Sequence, residues 1–177
     1  MSINFLLINI SILFLVFKMI DLSMKLSKNF TLKELVYSGT AVSLKIDNTP
    51  TPEIVERLRV LCQNVLQPVR DHFGKPVLIN SGYRCPKLNT AIKGAKTSQH
   101  VLGYAADFEI MGLSNWDLAV WIRNNLKYDQ LILEYATNLS QNPNNGWVHC
   151  SFVDNKINRN QPLTINNKGT FYGLRLM

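Results

Sequence analysis

The sequence predicts an α+β fold with a small antiparallel sheet flanked by helices. Helix-like and strand-like segments are interleaved irregularly, unlike the strict alternation of a doubly wound parallel sheet. A chain of 177 residues, 46% hydrophobic and 18% charged, is long enough for one domain with a real core and too apolar for disorder. Three cysteines (Cys62, Cys85, Cys150) cannot all pair with one another and form no C-x-x-C. That count and spacing argue against a disulfide scaffold and a zinc ribbon.

The elements follow in order. Ile3 to Phe17 is an apolar leader broken by Asn4, Asn9 and Ser11, too short for the ~20 residues of a spanning helix. It lacks the preceding basic residue and the small-residue cleavage site of an export signal. Three readings of residues 1–23 are open: a poor export signal, a weak membrane anchor, or upstream sequence ahead of a true start at Met24. Contact with a membrane is expected only if this leader is retained. Residues 24–177 form the domain proper.

Thr31 caps a short helix to Tyr37, with Glu34 completing a capping box. Residues 38–50 read as a loop. Thr51 caps a long helix with Pro52 in its first turn, and Ile54, Leu58, Leu61, Val65 and Val69 form its core stripe. Pro68 should kink it. After the Gly74-Lys75-Pro76 turn, Val77–Asn80 reads as a buried strand, and Pro86–Lys93 as a short helix. A polar loop over 94–99 leads to a strand over Ala105–Ile110. Ser114 caps a helix to about Lys127. Leu131–Tyr135 and Trp147–Val153 are further strands around an Asn-rich loop, Asn138–Gly146. The segment after Asp154 is polar and turn-rich.

Chemistry concentrates in a few residues. Alternate strand residues share a face. Val148, Cys150 and Phe152 form the apolar, core-facing set, so Trp147, His149 and Ser151 face away from the core. Gly103 permits a tight bend between His100 and Asp107. Two imidazoles and a carboxylate would make a three-ligand zinc site with one position open for water, as metal-assisted hydrolysis requires. The plainer reading also stands: a His and an Asp seven residues apart occur by chance, and His149 fits a hydrogen-bonded surface residue. Glu134 is an acid in an otherwise apolar strand, either paired with a Lys or Arg or used as a proton carrier. Arg84 fits a fixed cation for a carboxylate or oxyanion, or an ordinary surface ion pair.

Together, Ser81-Gly82-Tyr83-Arg84, Ser98-x-His100-x-x-Gly103-x-Ala105-x-Asp107 and Trp147-x-His149 resemble the zinc D-alanyl-D-alanine carboxypeptidase family, whose fold is shared with the hedgehog signalling domain. The stretches Leu26–Leu35, Gly74-Lys75-Pro76 and Asp129-Gln130-Leu131-Ile132-x-Glu134 resemble its branch of phage and bacterial cell-wall peptidases. The resemblance covers about residues 26–175 and favours a start at Met24. It implies one zinc ion held by His100, Asp107 and His149, with Glu134 as general base and acid. It also implies that Arg84 stabilises the tetrahedral intermediate or anchors substrate, and that Ser98, Gln130 and Trp147 face the substrate. Many relatives carry the catalytic acid just before the last histidine; here Asn145-Gly146-Trp147 has none, and Glu134 takes that role.

The expectation is therefore a monomeric zinc metallopeptidase cutting peptidoglycan stem peptides at a bond involving a D-amino acid, as carboxypeptidase or endolysin-type endopeptidase. Its place of action would be the cell wall or periplasm. The +7 charge suits an acidic wall. Aromatic and basic residues are not interleaved in a stripe, so nucleic acid is not an expected partner. The competing expectation is a cell-wall-binding or phage structural module that keeps fold and metal without hydrolysis.

Overall fold

The computed structural model describes residues 20–136, 142 and 145–176. Most of the apolar leader and most of the Asn-rich loop lie outside the described residues. Among the described residues, no helix is long and apolar enough to cross a membrane. Residues just before Met24 touch the domain: Ile20 packs on the core, and the Lys33 N–H donates to the Leu22 carbonyl at 2.8 Å.

Helix α1 (Leu32–Val36) starts as expected, with the Glu34 carboxylate accepting from the Thr31 N–H at 2.8 Å and its hydroxyl at 2.6 Å. The expected loop over 38–50 is corrected in part: Gly39–Ser43 forms a short helix, α2. Apart from Ala41 its residues are poor helix formers, but the Ser38 hydroxyl accepts from the Ala41 N–H and starts the turn.

Helix α3 (Pro52–Leu61) runs through a π-helical turn (Cys62–Leu66) into α4 (Gln67–Phe73). Pro68 explains the wide turn. It has no N–H for the Asn64 carbonyl, and in regular helix its ring would collide there. Instead the Gln67 N–H reaches back to the Cys62 carbonyl. The expected kink is thus absorbed as a π turn, and Ile54, Leu58, Leu61, Val65 and Val69 all stay buried. Each such side chain contributes roughly 1.5–3 kcal/mol by burial.

Strand β1 (Leu78–Ser81), helix α5 (Pro86–Ala91), strand β2 (Ala105–Glu109) and helix α6 (Asn115–Asn125) follow. Then come β3 (Gln130–Glu134), β4 (Trp147–Ser151), β5 (Gln161–Asn166) and β6 (Gly169–Tyr172). The sheet order is β1-β2-β4-β3-β5-β6. Two corrections follow. Strand β1 is an edge strand with Leu78 exposed, so it is not the buried strand its β-branched sequence suggests. The turn-rich C-terminal segment forms the β5–β6 hairpin, and β5 pairs parallel with β3. The sheet is therefore mixed; its other pairings are antiparallel.

One sheet face carries Ala106, Phe108, Leu131, Leu133, Val148 and Cys150 into a core shared with α3, α4 and α6. Burial pushes the Cys62 and Cys150 thiols far up, so neither is a thiolate nucleophile. The opposite face carries the polar residues.

Candidate metal centre

On that opposite face the register aligns Ser81, Asp107, His149 and Ile132 in one row across β1, β2, β4 and β3. Asp107 and His149 are direct cross-strand partners. His100 comes from the loop between α5 and β2, which turns back at Gly103 with φ +74°, as the glycine there predicts. The loop is pinned at both ends of the residue: the His100 Nδ1–H donates to the Gly82 carbonyl at 2.7 Å, and the His100 carbonyl accepts from the Arg84 N–H at 3.3 Å.

Three ligand-type atoms converge. His100 Nε2 lies 3.2 Å from Asp107 Oδ1 and 3.1 Å from His149 Nδ1, and the latter pair is 2.8 Å apart. All three residues are buried. Burial pushes the His100 imidazole below its usual value, against the pull of Asp107, and so keeps it neutral. Burial alone would raise the Asp107 carboxyl. The His100 and His149 rings against it prevail and hold it well below the usual carboxylate range.

This donor set fits a metal. Giving the Nδ1 proton to Gly82 leaves the Nε2 lone pair of His100 aimed into the cluster, the tautomer a ligand needs. Tetrahedral ligands at zinc distances lie roughly 3.4 Å apart, close to the observed triangle. The cluster could hold a metal ion. The plain surface reading of His149 does not survive its burial.

Arg84 is no surface ion-pair residue either. Its Nη2 donates to Asp107 Oδ2 at 2.6 Å and its Nε to the Ser81 hydroxyl at 2.7 Å, so it spans the Ser81–Asp107 pair. Glu134 sits at the end of β3, opposite Trp147 in register. Among the described residues no Lys or Arg pairs with it. Burial first, then the charge of Asp107, pushes its carboxyl above the usual value; His149, Arg84 and Trp147 oppose them.

All eight sequence-selected residues border one cavity of 540 Å³: Arg84, Ser98, His100, Asp107, Gln130, Glu134, Trp147 and His149. Gln130 is held sideways by a 2.8 Å bond from its Nε2 to Gln161 Oε1. Three contributors escaped the sequence reading. Gln99 borders the cavity and donates from Nε2 to Asp129 Oδ2 at 2.8 Å; Asp129 also accepts from the Arg159 backbone N–H at 3.1 Å and Nε at 2.9 Å. An acid at the head of an apolar strand was the available signal for Asp129. The Gly82 carbonyl, being backbone, left none.

A family model described as Peptidase M15 matches residues 28–151. No curated protein matches the chain.

Proposed function

Because the chain belongs to the peptidase M15 family, we propose that it hydrolyses peptidoglycan stem peptides at a bond involving a D-amino acid. One zinc ion would be held by His100 Nε2, Asp107 and His149 Nδ1. The observation that carries this reading is the buried His–Asp–His cluster sharing one cavity with Glu134, an acid that no Lys or Arg among the described residues pairs with. When bound, zinc supplies Lewis-acid polarisation of the scissile carbonyl and lowers the pKa of a water towards about 7.

The chain's own residues do the rest. The Glu134 carboxylate takes a proton from the attacking water and delivers it to the departing nitrogen. The water oxygen ends on the acyl carbon, the C–N bond breaks, and the amine leaves with the proton. The burial that raises Glu134 favours the protonated form it needs for the second half of that transfer. The Arg84 guanidinium supports the oxyanion or anchors a substrate carboxylate, and its hold on Asp107 fixes that ligand's second oxygen. Ser98, Gln130 and Trp147 supply the wall against which the peptide lies.

The test is release of muropeptides from purified peptidoglycan by zinc-loaded protein, with and without chelator. Chelator-sensitive release is expected. Metal-loaded protein that binds peptidoglycan but releases nothing would instead identify a non-catalytic wall-binding module.

A further inference from the structure

Tyr37, Val42 and Leu44 are large apolar side chains standing in solvent, 64%, 68% and 54% exposed. Scattered singly they would mean little, but they are gathered on one surface. Helix α2 buries only Ala41 and turns Val42 outward, with Leu44 just past its end. Tyr37, Val42 and the exposed Leu22 border one hollow of 330 Å³, together with the buried Val36, Ala41 and Ile46. Leu44 borders a neighbouring hollow, which also has Ile46 in its wall. No metal ligand borders either hollow, so this surface is separate from the site described above.

The charge around it is of one sign. Lys33 and Lys45 border the first hollow and Lys87 the second, and all three are exposed. No acidic side chain among the described residues borders either hollow. The acids nearest in sequence accept from other partners: Asp21 from Ser23, Glu34 from Thr31 and Asp47 from Thr49. Lys45 takes φ +52°, where glycine would sit without strain, so the fold keeps a lysine there at a cost.

Apolar side chains set among lysines complement an anionic lipid surface. Its headgroups attract the cations, and the boundary with its acyl chains takes the apolar groups. Tyrosine suits that depth, with an apolar ring and a polar tip. The sequence points the same way: Leu22 follows closely on the apolar stretch Ile3–Phe17 and on Lys18. A hollow of 330 Å³, at the small end for a small-molecule site, has no room for that whole stretch, whereas a bilayer has.

We infer that the domain docks on an anionic lipid bilayer through Tyr37, Val42 and Leu44, with Lys33, Lys45 and Lys87 against the headgroups. It lies on the membrane through this face, and the contact needs no metal.

Co-sedimentation of the full chain with vesicles tests this, using equal phosphatidylglycerol and phosphatidylcholine against phosphatidylcholine alone. Binding to the anionic vesicles is expected, weakening as salt rises. Val42→Gln combined with Leu44→Gln leaves residues 1–23 and every lysine in place, and should weaken binding at least about tenfold. Lys33→Gln combined with Lys45→Gln should do the same, since each lysine at such a surface is worth about fivefold. All four positions are exposed, and circular dichroism of the variants should match the parent. Absence of binding by the parent overturns the inference. Undiminished binding by the Val42 and Leu44 variant also overturns it, leaving charge or residues 1–23 as the cause. Undiminished binding by the lysine variant overturns the part given to the lysines. A dimer of the parent that Val42→Gln with Leu44→Gln abolishes would name a second copy as the occupant and overturn the bilayer.

Discussion

Asp107 and His149 face each other across antiparallel strands, with Oδ1 and Nδ1 2.8 Å apart. Strand pairing thus brings two ligand-type atoms together, and the third, His100, is fixed by a backbone carbonyl. Zinc should therefore bind the native chain and stabilise it. At a free concentration of about 100 Kd the gain is about 2.7 kcal/mol. Calorimetry should show Tm rising with zinc for the parent but not for His149→Ala; a matching rise in the variant would remove His149 from the site.

Replacing Glu134 separates proton transfer from metal binding. Glu134→Gln should retain zinc by elemental analysis and lose at least about a hundredfold in peptidoglycan turnover. Undiminished turnover would refute the role.

The same substitution has an opposite effect on stability. The folded-state pKa of Glu134 lies above its unfolded value, so the stability it contributes is complete below the unfolded value and is lost as pH rises through the folded one. Near neutral pH its ionisation is a cost that Gln removes. In chelator-treated protein, Glu134→Gln should therefore raise the urea midpoint at pH 7 and change it little at pH 4.

Asp129 has the reverse sign. Burial would raise its carboxyl, but bonds from Arg159 and Gln99 hold it below the usual value. Its stabilising contribution is present above the unfolded pKa of about 3.9 and is lost as pH falls through the lower folded value. Urea midpoints measured from pH 6 to pH 2 should show Asp129→Asn well below the parent at pH 6 and the gap closing at the acid end. A gap independent of pH would mean that the carboxylate charge is not what matters.

Gly146 joins β4 to the chain beside Glu134. Its φ is +74°, and an added Cβ would lie 2.0 Å from the Glu134 carbonyl oxygen. Gly146→Ala should cost at least about 2 kcal/mol, from left-handed strain plus backbone displacement. Denaturant unfolding would measure it, and a loss below half that would contradict the contact.

Local signals were legible where one residue decides the outcome. Thr51, Ser114 and Thr31 each start a helix where their side chains predict, and alternation in Trp147–Phe152 correctly assigned the core face. His100, Asp107, His149, Glu134 and Arg84 stood out by chemical type and placement, Ser98, Gln130 and Trp147 only through the family resemblance, and the fold gathers all eight around one cavity. What the sequence hid depends on distant partners. Strand β5 opens on Gln161-Pro162 and ends on Asn166, with little β character of its own; its partner is β3, some thirty residues earlier. Helix α2 depends on one hydroxyl, and the Gln99–Asp129–Arg159 bonds join residues far apart in the chain.

That late parallel pairing bears on how the chain can be shortened. The strand carrying Glu134 is interior only because β5 lies along it; β6 forms the sheet's outer margin instead. Cutting the chain after Phe152 would uncover a row of unsatisfied N–H and C=O groups on β3, a template for pairing with another molecule. The C-terminal hairpin thus acts as a guard against self-association at the strand that bears the proposed proton carrier. A shortened chain should betray its loss first by clumping in solution, before any change in chemistry can be measured.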